Sequence, residues 1–169
     1  VDPSTIRSSI LTELANESAT LIQIDLRKDT GEAVSFQEFT DFMGVSIPAE
    51  IRDQLTNSWI FAYNQDGIYK IASILYLESS QVAPLVQTWS ASIPGDMTGF
   101  SLSSTSRGVT TPDINSTELT LPGGGSTTNY FYNYSDVDNS VDVTSVDSYI
   151  LIASSQDTMQ YLISSFQNN

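Results

Sequence analysis

Apolar positions along the chain alternate between helical and strand spacing. Behind Asp2-Pro3-Ser4, residues Ile6, Ile10 and Leu14 predict a short amphipathic helix, with Pro3 near its first turn, where no backbone donor is lost. Leu21 to Leu26 reads as a strand, and Asp29-Thr30-Gly31 as a turn. Ser35-Phe36-Gln37-Glu38 has the form of a capping box, and Phe36, Phe39 and Met43 carry the helix it opens as far as Gly44. Pro48 begins a second helical turn bearing Ile51 and Leu55. A hairpin is predicted next, from Trp59–Tyr63 through Asn64-Gln65-Asp66-Gly67 to Ile68–Leu77. Its second strand is apolar on both faces (Ile71, Ala72, Ile74, Leu75), which places it centrally in a covered sheet.

Val82, Leu85, Val86, Trp89 and Ile93 form the strongest helical pattern. Strands are predicted at Tyr130–Tyr134, Val141–Val146 and Ser148–Ala153, and a final helix carries Met159, Leu162, Ile163 and Phe166. Two segments echo each other. Ile74 to Gln81 and Tyr149 to Gln156 are each an apolar strand, a one-residue step, then Ser-Ser-Gln and a helix. Either shared capping chemistry or a pseudo-repeated strand-helix unit accounts for the match. Together the patterns predict an α+β fold, a mostly antiparallel sheet with helices packed on one face.

The stretch 98–129 breaks the periodicity. It is dense in Ser and Thr and contains Gly123-Gly124-Gly125, so it reads as a long loop or insertion in a single domain spanning residues 1–169, with one short strand at Glu118–Leu121. With 169 residues the chain has the size of one domain and needs no staples to build a core.

Charge alters the picture. Only 15% of the residues are charged, and 20 acidic against 6 basic residues give a net charge of −14. Without a basic patch to displace counterions, nucleic-acid binding is not expected, and membrane attachment is expected only through an anchor outside this chain. An acidic surface favours cations or cationic partners. The sequence has no Cys and no His, which excludes disulfides and the Ser-His-Asp and Cys-His constellations. Neither Lys28 nor Lys70 stands at Ser-x-x-Lys spacing, and no phosphate-binding glycine motif is present. The start at Val1 is expected to be that of a trimmed or processed form, which leaves room for an anchor upstream.

From Val34 to Met97 a set of residues is shared with a known group of proteins: Ser35-Phe36-Gln37-Glu38-Phe39, Met43-Gly44-Val45, Ile47-Pro48, Ile51-Arg52-Asp53-Gln54-Leu55 and Phe61-Ala62-Tyr63-Asn64-Gln65-Asp66-Gly67. The helix Val86–Trp89, Pro94 and Ile150-Leu151-Ile152-Ala153-Ser154-Ser155 fit the same pattern. In these the chain resembles uncharacterised, membrane-anchored proteins of candidate-phyla bacteria. The resemblance covers about half the chain and is structural; it carries over no functional residues. It implies an extracytoplasmic domain held by one membrane helix outside the sequence in hand. The chain departs from the group in its scarcity of Lys and in its Ser/Thr-rich segment.

Four local features carry chemistry. Asp136, Asp138, Ser140, Asp142 and Asp147 place oxygen side chains at positions 1, 3, 5, 7 and 12, an echo of a calcium loop. Val141 stands where such a loop needs Gly, and Asp147 replaces the bidentate Glu, so the competing reading is an acidic hairpin turn. Tyr130, Tyr132 and Tyr134 share one face of a strand, either as an exposed ligand-binding surface or as core. Asn16, Asn115 and Asn133 begin glycosylation triplets, Asn115 being the best placed. Asp25, Glu32, Glu38 and Glu78 flank strand ends, as solvated carboxylates and caps or as a hydrolytic pair.

The expectation is a non-catalytic extracytoplasmic module of the cell envelope or surface, secreted or membrane-anchored, acting by protein–protein interaction or self-assembly without a required cofactor. The alternatives are a glycan- or peptide-binding module assisted by calcium, and a carboxylate-dependent hydrolase.

Overall fold

The chain folds around one seven-stranded antiparallel sheet, flanked by five helices in the computed structural model, which describes residues 21–65, 67–102, 115–133 and 140–167. The helix expected from Ile6 to Leu14 lies outside these residues. In chain order the elements are β1 (Leu21–Ile24), α1 (Phe36–Met43), α2 (Ala49–Arg52), β2 (Leu55–Gln65), β3 (Ile68–Leu77), α3 (Val82–Trp89) and α4 (Ile93–Asp96). They continue as β4 (Asn115–Thr120), β5 (Ser126–Asn133), β6 (Ser140–Val146), β7 (Tyr149–Ala153) and α5 (Gln156–Gln167). Across the sheet the order is β1-β2-β3-β7-β6-β5-β4.

The capping box forms as the sequence predicts. Ser35 Oγ accepts from the Glu38 amide at 3.1 Å, and Glu38 Oε1 accepts from the Ser35 amide at 3.3 Å. The helix turns Phe39 and Met43 into the core and ends at Gly44. Leu55, expected on the second helical turn, instead opens β2 opposite Leu77, because the Gln54 carbonyl accepts from Glu78 and starts the ladder there. The helix expected to run from Val82 to Ile93 is broken in two. Pro94 has no amide and its ring would clash with the Ser90 carbonyl, so α3 stops at Trp89 and α4 begins at Ile93. Trp89 Nε1 bridges the break by donating to Asp96 Oδ2 at 2.9 Å.

The α+β class and antiparallel sheet are as expected, but the placement of helices on one face is not. Ile71, Leu75 and Leu77 of β3 and Ile150 and Ile152 of β7 pack with Phe39, Val86, Trp89 and Ile93 from α1, α3 and α4. The alternate residues Ala72, Ile74, Leu151 and Ala153 pack with Met159, Leu162 and Ile163 of α5 on the other face. Strands β3 and β7 are therefore apolar on both faces along their paired stretch, Ser73 excepted, because helices cover both faces.

The echoed segments become neighbours. β3 and β7 pair antiparallel, from Ala72 opposite Ala153 to Tyr76 opposite Tyr149, and the helices that follow them lie on opposite faces. Their Ser-Ser steps differ in detail. Ser155 caps α5, its Oγ accepting from the Thr158 amide at 3.1 Å, whereas Ser79 Oγ accepts from Gln81 two residues on, ahead of α3.

Candidate functional site

The Ser/Thr-rich stretch, expected as a loop or insertion, contributes β4 and part of β5 to the sheet. Gly124 (φ +93°) and Gly125 (φ +84°) close the hairpin between them, with Gly124 N donating to Leu121 O and Leu121 N to Gly125 O, both at 3.0 Å. Only residues tolerant of positive φ make so tight a return. β4 pairs with β5 in unbroken register from Asn115–Phe131 to Thr120–Ser126.

That register leaves β4 at the end of the sheet. Among the described residues no strand pairs with its outer edge, and five of its six side chains are exposed. Proteins commonly blunt such an edge with Lys, Pro, a bulge or a covering element. From Ser116 to Thr120 there is no Lys, no Pro and no bulge, and the single charge is Glu118, whose Oε1 accepts from Thr128 Oγ1 at 2.7 Å.

Leu119 faces the α5 side, and beside it opens a cleft of about 250 Å³. Leu119, Thr120 and Pro122 form one wall; Gln160, Ile163 and Ser164 of α5 form the other. An edge strand running beside a helix, with a cleft between them, suits an extended polypeptide: its backbone extends the sheet and alternate side chains enter the cleft. Sequence reasoning found a short strand at Glu118–Leu121 but not this edge. A signal was available, because Asn115-Ser-Thr-Glu-Leu-Thr120 is polar except for Leu119, the pattern of a strand with one face to solvent.

The tyrosines do not form an exposed face. Tyr132 is fully buried, its hydroxyl donating to the Ser90 carbonyl, and Tyr130 packs half-buried against the same core. Tyr134 lies outside the described residues.

The acidic segment is likewise not one loop. Asp136 and Asp138 lie outside the described residues, while Ser140 and Asp142 belong to β6 and are buried. Ser140 Oγ donates to Asp142 Oδ1 at 2.5 Å, and Asn129 Nδ2 donates to Asp142 Oδ2 at 2.9 Å. Loss of water pushes the Asp142 carboxyl up to about 6, against the pull of these two donors. Asn129 Oδ1, also buried, has no hydrogen-bond partner among the described residues. Asp147 sits in the β6–β7 turn with φ +53°, a conformation Asp tolerates. Five strand positions, roughly 16 Å, separate it from Asp142, so the two cannot share an ion. No group of three acidic ligands that could hold a metal occurs among the described residues.

Three of the four flanking carboxylates are engaged near α1. Asp25 pairs with Arg27 at 3.1 Å, and Lys28 reaches Glu38 at 2.9 Å and Glu32 at 3.7 Å. The Lys28 hydrogen bond holds the Glu38 carboxyl below its ordinary range, and the same contact raises the Lys28 ammonium. Glu78 lies apart, beyond the end of β3. Asn115 is exposed at the start of β4, and Asn133 is exposed at the end of β5; Asn16 lies outside the described residues. Compared with protein-family models, curated proteins and solved structures, the chain matches none of them.

Proposed function

We propose that this domain is a non-catalytic interaction module of the cell envelope or surface, working outside the cytoplasm by taking an extended segment of a protein partner onto its sheet edge. The observation that carries the reading is the outer edge of β4, which pairs with no strand among the described residues and carries no Lys, Pro or bulge from Ser116 to Thr120, beside the cleft against α5. Strand addition draws affinity from main-chain hydrogen bonds, so it needs no catalytic group and no cofactor. The extracytoplasmic setting is supported by the sparse charge, the hydroxyl-rich polarity and the resemblance to membrane-anchored proteins.

The test is a titration of the isotopically labelled domain with extended hexapeptides of neutral, acidic and basic sequence, followed by the amide signals. Shifts that run along Ser116 to Thr120 with any of them support the reading. Silence of those amides with all three overturns it. Repeating the titration with calcium and then with chelator tests the calcium-assisted alternative, which requires the response to depend on the ion.

A further inference from the structure

The distribution of charge along the sequence narrows the partner further. No Lys or Arg follows Arg107 in the sequence, whereas Glu118, Asp136, Asp138, Asp142, Asp147 and Asp157 all do. The strands β4 to β7 and helix α5 are thus built without a single cation. The described basic residues, Arg27, Lys28, Arg52 and Lys70, belong to the other half of the chain, and Arg27 and Lys28 are paired to neighbouring carboxylates.

Register adds a pattern. Residues of β4 alternate between faces, so Leu119 turns to the cleft while Glu118, opposite Thr128, turns to the other face. A strand added outside β4 alternates in the same way. One of its side chains stands over Leu119 and Ile163 in the cleft, and the next stands beside Glu118. Resting on the interaction-module reading above, we infer that the occupant of this edge is an extended segment of a partner protein in which basic residues alternate with aliphatic ones. The aliphatic side chains fill the cleft, and the basic ones flank Glu118 as a cross-strand ion pair. A second copy of this chain fits poorly. Each copy carries a net charge of −14, and antiparallel pairing of two β4 strands in the register that sets position 118 opposite itself puts the two Glu118 carboxylates side by side.

The experiment uses the full chain and four hexapeptides: alternating lysine and valine, alternating glutamate and valine, alternating threonine and valine, and the lysine peptide with its backbone amides methylated. The lysine peptide is expected to shift the amides of Ser116 to Thr120 and to bind at least tenfold more tightly than the threonine peptide at low salt. That advantage shrinks as salt rises. The methylated peptide is expected to lose binding, which a purely ionic contact would not. Glu118 is exposed, so Glu118→Lys leaves the fold intact, and it is expected to abolish the preference for lysine over threonine. Equal binding of the three unmethylated peptides along β4, or an undiminished lysine preference in Glu118→Lys, overturns the basic-aliphatic inference while leaving strand addition standing. If no peptide moves the β4 amides, both fall.

Discussion

Tyr132 donates its hydroxyl to the carbonyl of Ser90, the carbonyl that Pro94, four residues on, has no amide to reach. A continuous helix would have satisfied Ser90 from position 94; the proline break leaves that to a side chain from the far half of the sheet. The bond therefore ties β5 to the junction of α3 and α4.

Tyr132→Phe keeps the buried ring and strands the Ser90 carbonyl. The expected cost is about 1–2 kcal/mol, read as a lower midpoint in urea with an unchanged slope. A cost indistinguishable from zero would mean that water reaches Ser90 in place of the hydroxyl.

Asp142 makes stability depend on acidity. Its folded carboxyl titrates at about 6 against an ordinary value of 3.8, so the folded state holds the proton more firmly than the unfolded chain. The contribution is fully present below about pH 4 and is lost as pH rises through about 6, amounting to roughly 3 kcal/mol. Asp142→Asn, which preserves shape and removes the charge, is expected to be more stable than the parent at pH 7.5 and equal to it near pH 4. Denaturation at several pH values checks this, and a difference independent of pH would refute it.

Gly99 is fixed by close approach. A Cβ there would stand 1.8 Å from the carbonyl oxygen of Met43, at the end of α1. Gly99→Ala is expected to cost about 3 kcal/mol or more, since backbone must move to admit it. Gly95, within α4, has no such neighbour, and Gly95→Ala is expected to leave the thermal midpoint unchanged or raise it.

Ser35→Ala removes one arm of the capping box. A loss of about 1 kcal/mol is expected, with α1 amides exchanging faster while those of β7 keep their order of protection. Equal acceleration in both elements would show that α1 does not open independently.

Local chemistry was the legible part of the sequence. Ser35 and Glu38 announce their helix because both partners of the cap lie within four residues, and β3 declares its central place because apolar residues on both faces have no other use. Placing α5 on the face opposite α3 was not legible, since both helices follow the same Ser-Ser-Gln step and periodicity does not say to which side a strand exit turns. Pro94 did mark the helix break, but the run of apolar positions from Val82 to Ile93 outweighed it.

The candidate site was harder to read. Asp142 and Asp147 look like parts of one loop because spacing counts residues, while a strand separates those residues along a line. Asn129 and Asp142 meet only through the β5–β6 register, which no local pattern encodes. The β4 edge lay in a stretch whose Ser, Thr and Gly content suggests a loop. Threonine serves equally in a solvent-facing strand, so composition there was ambiguous between the two.

The pairing of β3 with β7 joins two halves of the chain that are each built from local connections. Across this seam the Ile71 amide donates to Ser154 Oγ, 83 residues along the chain. Hairpins such as β2–β3 and β6–β7 close over turns of a few residues, but the seam can form only after a long loop has been closed. The middle of the finished sheet is thus expected to be the last part of it to be assembled, with its closure setting the pace of folding. Until then β3 and β7, the most apolar strands in the molecule, each present a bare edge to solvent. Such a half-built protein is expected to associate more readily than the native one, whose β4 edge is polar.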